Sequence, residues 1–127
     1  MNKNPNAMQL NEYQEKAMST CLPSCDNWSY MTLNLVGEVG EFSGKVAKAI
    51  RKEQLRVADN ELYKSEKTSN EFETLTEDLK SEAGDILWQL SGLCSVMGWT
   101  LEDVAKANLD KLANRKKEGT IITHIDH

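Results

Sequence analysis

The chain of 127 residues has almost no histidine, and this scarcity disfavours several kinds of metal and nucleophile chemistry. The only histidines are His124 and His127, at the end of the chain. A di-iron helical bundle needs Glu-x-x-His on two helices, and a serine or cysteine nucleophile needs a base, so neither is expected. The three cysteines, Cys21, Cys25 and Cys94, form no CxxC pair. That spacing disfavours a zinc site and suits reduced thiols.

Other absences narrow the class of protein further. No apolar run approaches the roughly 20 residues that cross a bilayer, and the N-terminal residues lack an apolar signal core. A cytoplasmic protein with no membrane partner is therefore expected. The net charge of −5 disfavours a binder of nucleic-acid polymers, which usually presents a basic face. The glycine-rich phosphate loop that ends in GK[ST] is also absent.

What the chain does contain is a pair of amphipathic helical patterns that resemble each other. Apolar residues recur in steps of four and three, which predicts one buried face on each helix. In the first pattern these residues are Leu35, Val39, Phe42, Val46 and Ala49. In the second they are Leu79, Ala83, Ile86, Leu90 and Leu93. The two helices are expected to pack against each other through these faces.

Each pattern also carries two carboxylates three residues apart, Glu38 with Glu41 and Glu82 with Asp85. At about 100° per residue, the first carboxylate of each pair borders the buried face and the second stands further out. Packing of the helices would bring four acidic groups to one edge, where their repulsion favours a bound cation. Oxygen ligands suit Mg²⁺, which binds carboxylates together with substrate phosphates. The alternative is a pair of ordinary solvated helix faces.

Four helices are expected, in an all-α, four-helix bundle-like protomer that forms a single domain over residues 1–127. Their approximate ranges are 8–20, Ser29 or Thr32 to beyond Arg51, 76–97 and 101–117. Thr76 and Thr100 are the expected N-caps of the third and fourth helices, and Gly98 ends the third.

The segment 56–74 loses the apolar rhythm of its neighbours. We expect a long polar connection there, with a helical turn near Leu62. Residues 120–127 are expected to form a tail that packs on a partner chain. Within the second helix, Gly37, Gly40 and Gly44 each cost about 1 kcal/mol relative to alanine. Close approach of another backbone is therefore expected along that helix.

Basic residues near these patterns are open to two interpretations. Asn108, Lys111 and Arg115 form one polar stripe on the fourth helix. The lysine and the arginine suit a polyphosphate, but an ordinary solvated face explains them equally well. Lys45 and Lys48 follow the first carboxylate pair and are open to the same two interpretations.

Taken together, the motifs resemble the ExxE…ExxD signature of the all-α nucleoside triphosphate pyrophosphohydrolases. The MazG-like subgroup is the most similar. The segments that carry the resemblance are LVGEVGEF at 35–42, EAGDILW at 82–88 and NLDKLANR at 108–115. The resemblance covers about residues 10–119. The 40 residues between Glu41 and Glu82 are more than the family usually has, so the resemblance does not indicate which nucleobase the protein prefers.

The resemblance implies hydrolysis of an NTP or dNTP to the monophosphate and pyrophosphate, with Mg²⁺ as cofactor and Mn²⁺ as a substitute. The implied metal ligands are Glu38, Glu41, Glu82 and Asp85. Glu38 is the chosen general base. The implied substrate-binding residues are Asn108, Lys111 and Arg115. Of these, Lys111 and Arg115 would offset charge on the leaving pyrophosphate. Assembly as a homodimer or homotetramer is also implied, as is a role in clearing noncanonical nucleotides.

Three alternatives stay open at this point. Two belong to the same superfamily, a dimeric dUTPase and a phosphoribosyl-ATP pyrophosphohydrolase, and would use similar chemistry. The third is a non-enzymatic helical interaction module whose acidic edges bind a basic partner.

Overall fold

The computed structural model describes residues 7–64 and 71–119, so the expected tail at 120–127 lies outside the described residues. The helices are α1 (Leu10–Met18), α2 (Trp28–Arg51), α3 (Glu71–Val96) and α4 (Leu101–Lys117). Two short strands, β1 (Leu55–Ala58) and β2 (Glu61–Lys64), lie between α2 and α3. The all-α prediction is confirmed. None of the helices in the described ranges is both long and apolar enough to cross a membrane.

The centre of the fold is the contact between α2 and α3. Met31 of α2 is fully buried and lies directly on Gly92 of α3, where an added Cβ would overlap the Met31 side chain. Gln89, also buried, donates from Nε2 to the Met31 carbonyl oxygen at 3.4 Å. Glycine at position 92 therefore allows the two helices to approach closely enough for Met31 to fill the space between them.

A single glutamine on α1 ties that helix to the junction between α3 and α4. Gln14 is buried, and its Nε2 donates to Ser95 Oγ and to the Trp99 carbonyl oxygen, both at 3.0 Å. Its Oε1 accepts a hydrogen bond from the Leu101 amide at 2.8 Å. Because Leu101 is the first residue of α4, this side chain satisfies one of the amides that a helix start leaves unpaired.

The expected boundaries of α4 and of the C-terminal end of α3 are confirmed. Thr100 Oγ1 accepts from the Asp103 amide at 3.1 Å, which is the predicted N-cap of α4. Gly98 has a φ of +76°, a conformation that glycine adopts without a steric penalty, and it follows the last turn of α3.

The segment between α2 and α3 differs from its prediction. Leu62 lies in β2, so the helical turn expected there was wrong. The strands pair antiparallel with Ala58 opposite Glu61, and the two residues between them, Asp59 and Asn60, have φ values of +53° and +64°. A two-residue turn with positive φ at both positions matches the twist of a β-hairpin, and short polar residues tolerate it. This local turn chemistry produces a hairpin in a segment that we expected to be irregular.

The expected start of α3 was also wrong. The helix begins at Glu71, so Thr76 lies inside it and not at its N-cap. The Thr76 hydroxyl donates to the Glu73 carbonyl oxygen at 2.9 Å, a bond to the preceding turn. Threonine makes such bonds within helices as well as at caps, which is why the residue type did not locate the boundary.

The buried faces agree with the prediction fully at one end of each pattern, are half-buried at most other positions, and fail at one position in each. Ala49 and Leu79 are buried, whereas Val39 is 46% exposed and Ala83 is exposed. On that turn of α3 the buried position is taken by Glu82, which is only 7% exposed. A carboxylate in place of an apolar side chain marks this part of the helix pair as the candidate site.

Candidate active site

Helices α2 and α3 bring three of the four predicted carboxylates together. Glu38, Glu82 and Asp85 each offer one oxygen, and these oxygens lie within 4.8 Å of one another. Glu41 is exposed on the next turn of α2 and does not join that group of oxygens. Its charge is nevertheless close enough to raise the pKa of Glu38. We call Glu38, Glu82 and Asp85 the carboxylate cluster.

Two oxygens of the cluster are buried and accept no hydrogen bond from the described residues. Glu38 Oε2 and Glu82 Oε2 have no hydrogen-bond partner among the described residues. A buried polar atom left in this state costs on the order of 1–3 kcal/mol, and more when it carries charge. The cluster therefore holds negative charge in a place where the chain itself provides too few donors for it.

A network of amides fixes the position of Glu38. Asn34 Nδ2 lies 3.4 Å from Glu38 Oε1, 2.8 Å from Gln89 Oε1 and 3.2 Å from the Tyr30 hydroxyl. The hydrogen bond from Asn34 favours the charged carboxylate. Burial, followed by the charges of the other acidic residues, acts in the opposite direction and raises the pKa of Glu38.

Tyrosine side chains border the cluster, and the sequence did not single out this role for them. Burial raises the pKa of Tyr13, and the negative charge of Asp85 raises it further, which places this α1 side chain near the cluster. The Tyr30 hydroxyl accepts a hydrogen bond from Asn34 Nδ2 at 3.2 Å, and burial, Cys25 and the charge of Glu38 raise the pKa of this tyrosine. An aromatic residue on a short amphipathic helix carries no sequence signal that separates such a position from ordinary packing.

Lys45 makes the direct ionic contact with the cluster. Its Nζ lies 2.9 Å from Glu82 Oε1, and 41% of the Lys45 side chain remains exposed. The hydrogen bond with Glu82 raises the pKa of this lysine. The ammonium group therefore offsets part of the charge of the cluster, a contact that neither of the two interpretations of Lys45 included.

The predicted substrate-binding residues on α4 are not joined to the cluster within the single chain. Asn108, Lys111 and Arg115 are all exposed. Across the described ranges, the side chains of Lys111 and Arg115 make no hydrogen bond or ion pair. Asn108 lines an apolar groove of about 270 Å³ together with Leu10 and Leu90.

With this geometry in hand, we compared the chain with known proteins. The model of the MazG nucleotide pyrophosphohydrolase domain matches residues 27–120. The chain belongs to this family. Every residue of the carboxylate cluster lies inside the matched range, as does Lys45, whereas α1 with Tyr13 lies outside it.

A curated relative supports a similarity over nearly the whole MazG chain. The Gene 37 protein of Mycobacterium phage L5 is 31% identical over 122 residues, covering 90% of this chain and 94% of the relative. No solved structure matches the chain. The relative's name states no activity, so the family description and the geometry of the carboxylate cluster carry the functional argument.

Proposed function

We propose that this MazG protein is a Mg²⁺-dependent nucleoside triphosphate pyrophosphohydrolase. It would convert an NTP or dNTP and water into the nucleoside monophosphate and pyrophosphate. The observation that carries the proposal is the pair of buried oxygens, Glu38 Oε2 and Glu82 Oε2, which have no partner among the described residues and lie beside Asp85. A cation at this point would supply the compensation that the chain lacks.

The donor set fits a hard divalent cation. Glu38, Glu82 and Asp85 offer only oxygen atoms, and Glu41 adds a further carboxylate on the adjacent turn. Mg²⁺ prefers such ligands and commonly shares them with substrate phosphates, and Mn²⁺ suits them as well. When bound, such an ion supplies charge neutralisation at the phosphates and lowers the pKa of a coordinated water.

Glu38 is the proposed general base. If Oε2, which has no partner in the described chain, contacts the cation, Oε1 keeps a lone pair beside its 3.4 Å contact with Asn34 and could accept a proton from the attacking water. The raised pKa of Glu38 brings the carboxylate nearer to the operating pH, which favours proton transfer. Asn108, Lys111 and Arg115 remain the proposed contacts to the nucleotide from α4.

We also propose that the protein self-associates as a homodimer or homotetramer. Leu33 and Val36 on α2 are 74% and 73% exposed, which leaves an apolar strip uncovered. An added Cβ at Gly40 or Gly44 would meet nothing within 4 Å, so the close approach expected at these glycines is not made within the described chain. Packing of a second copy on this strip would explain both features, and Leu33→Glu should then reduce the mass measured by light scattering.

The activity is tested by incubating the protein with NTPs and dNTPs and Mg²⁺, followed by identification of the products. Pyrophosphate and a monophosphate are expected. Asp85→Asn should lower the rate by at least about 100-fold and abolish Mg²⁺ binding in calorimetry, because it removes one charged ligand. Glu77→Gln, an exposed change on the same helix, is the matched control. Release of orthophosphate alone, or unchanged Mg²⁺ affinity in Asp85→Asn, would contradict the proposal.

The same set of nucleotides, extended by the substrates of the two alternative activities, tests whether the protein is one of the other enzymes of the superfamily. A preference for dUTP or for phosphoribosyl-ATP would identify those activities, and a preference for noncanonical nucleotides would support a role in nucleotide-pool cleaning. If the acidic edge only binds a basic partner, no triphosphate is cleaved.

A further inference from the structure

A second polar feature, which we call the lysine cleft, lies beside the carboxylate cluster. It is a cavity of about 230 Å³ between the C-terminal half of α2 and the N-terminal half of α3. Lys45 and Lys48 line it from α2, Lys52 lines it from the C-cap of that helix, and Asp78 lines it from α3. The volume is below the roughly 300 Å³ at which pockets for drug-sized ligands begin, so the cleft suits a small anion better than a nucleoside.

The three lysines form a row of positively charged side chains along one side of this cavity. They stand at i, i+3 and i+7, which places them along one side of α2 and its C-cap over about 10 Å. Lysines near a helix C-terminus often reflect only the helix dipole. That explanation covers Lys48 and Lys52, but Lys45 lies six residues before the last helical residue, Arg51. In a chain of net charge −5, the three lysines of the cleft outnumber the carboxylates beside them, which are Asp78 and the Lys45 partner Glu82.

Lys45 connects the lysine cleft to the carboxylate cluster, because it lines the cleft and pairs with Glu82. Its Nζ contacts Glu82 Oε1 at 2.9 Å, and the same side chain lines the cleft. If Glu82 gives its oxygens to a cation, Lys45 loses its partner while it stays at the boundary between the two features. A phosphate oxygen arriving at this boundary would then find an unpaired ammonium group, with Lys48 and Lys52 further along.

This arrangement matches the order of groups in a nucleoside triphosphate. The phosphate under attack must lie at the carboxylate cluster, so the two phosphates beyond it need cationic contacts on one side of the cluster. Lysine ammonium groups bind phosphate oxygens as point charges. Lys111 and Arg115, first assigned this role from the sequence, are exposed and form no ion pair with the cluster within the described ranges.

We propose that the lysine cleft binds the two phosphate groups that leave as pyrophosphate. On binding, Lys45 exchanges its contact with Glu82 for a contact with the phosphate that was joined to the cleaved bond. The inference rests on the proposed pyrophosphohydrolase function. It assigns a binding site to Lys45, Lys48 and Lys52 and leaves the bond cleavage itself to the residues of the carboxylate cluster.

The experiment measures binding of inorganic pyrophosphate by calorimetry in the presence of Mg²⁺. The variant is Lys48→Gln with Lys52→Gln, and the control is Lys80→Gln with Lys106→Gln, which removes two equally exposed lysines outside the cleft. We expect the cleft variant to bind pyrophosphate about tenfold more weakly than wild type and the control to bind it normally. Circular dichroism checks that both variants fold.

The outcomes separate this inference from the proposed function. Wild type that fails to bind pyrophosphate, or equal affinity in the cleft variant and the control, would overturn the inference. So would a loss confined to a Lys111→Gln, Arg115→Gln variant. In all of these cases, cleavage of triphosphates by the wild type would leave the proposed function standing. Conversely, cleft-dependent pyrophosphate binding without cleavage of any triphosphate would support the cleft and remove the pyrophosphohydrolase assignment.

Discussion

Replacing Glu38 with glutamine should make the metal-free protein more stable, although it removes a side chain that we place in the active site. Glu38 Oε2 is buried without a partner, and three other carboxylates raise the pKa of this group. Glutamine keeps an oxygen for the Asn34 hydrogen bond at 3.4 Å and offers an amide in place of the unpaired oxygen. An uncompensated buried polar atom costs about 1–3 kcal/mol, and the half-buried position suggests a gain of about 1 kcal/mol.

The measurement is thermal unfolding followed by circular dichroism, first in EDTA and then in excess Mg²⁺. In EDTA, Glu38→Gln should melt about 4 °C above wild type for a chain of this length. In Mg²⁺ the order should reverse, because wild type gains about 2.7 kcal/mol when the ion is 100-fold above its Kd. Glu77→Gln, exposed on α3, is the control and should follow wild type in both buffers.

The pH dependence gives the same prediction an independent check. Because the pKa of Glu38 is raised in the folded state, the folded protein binds this proton more tightly than the unfolded chain does. The unfolding free energy should therefore fall as the pH rises from roughly 4.3 through the folded-state pKa, and the loss should be complete above it. Glu38→Gln removes this part of the decline. A variant that is less stable than Glu77→Gln in EDTA would refute the reasoning.

Three further changes test other parts of the structure. Lys45→Met should lower the free energy of unfolding in EDTA by about 1–3 kcal/mol because it leaves the buried Glu82 without its ion partner, and it should tighten Mg²⁺ binding in calorimetry because Glu82 no longer has a competing partner. Gln14→Ala should cost about 1–3 kcal/mol in urea denaturation because it removes three hydrogen bonds, of which the one from the Leu101 amide is buried; a loss below about 1 kcal/mol would contradict this. Gly92→Ala should cost about 1–3 kcal/mol because the new methyl group overlaps a buried side chain. Gly84→Ala is its control, with open space at that position, and should be neutral or stabilising.

Much of the helical architecture could be predicted from local signals. The caps at Thr100 and Gly98 lie where their residue types indicated, because capping depends on a few neighbouring residues. The hairpin was missed because its strands have only four residues each, which is too short for a clear alternating pattern. Its turn depends on two residues with positive φ, Asp59 and Asn60, which resemble any polar loop in sequence.

The candidate site could likewise be predicted only in part from the sequence. The spacing of the carboxylates placed Glu38 and Glu82 nearer the buried face than Glu41 and Asp85, and the structure agrees. The pairing of Lys45 with Glu82 could not be predicted, because the two residues lie 37 positions apart and meet only when α2 packs on α3.

The amino-acid sequence by itself determined that the chain is helical and that it carries acidic residues at matched positions on two helices. These properties follow from the period of the α-helix, which a linear pattern records directly. Only the tertiary structure decided which carboxylates share a site, which oxygens are buried without a partner and which lysine reaches them. Those outcomes depend on the approach of two helix surfaces, which Met31 and Gly92 set through their packing and which no local pattern encodes.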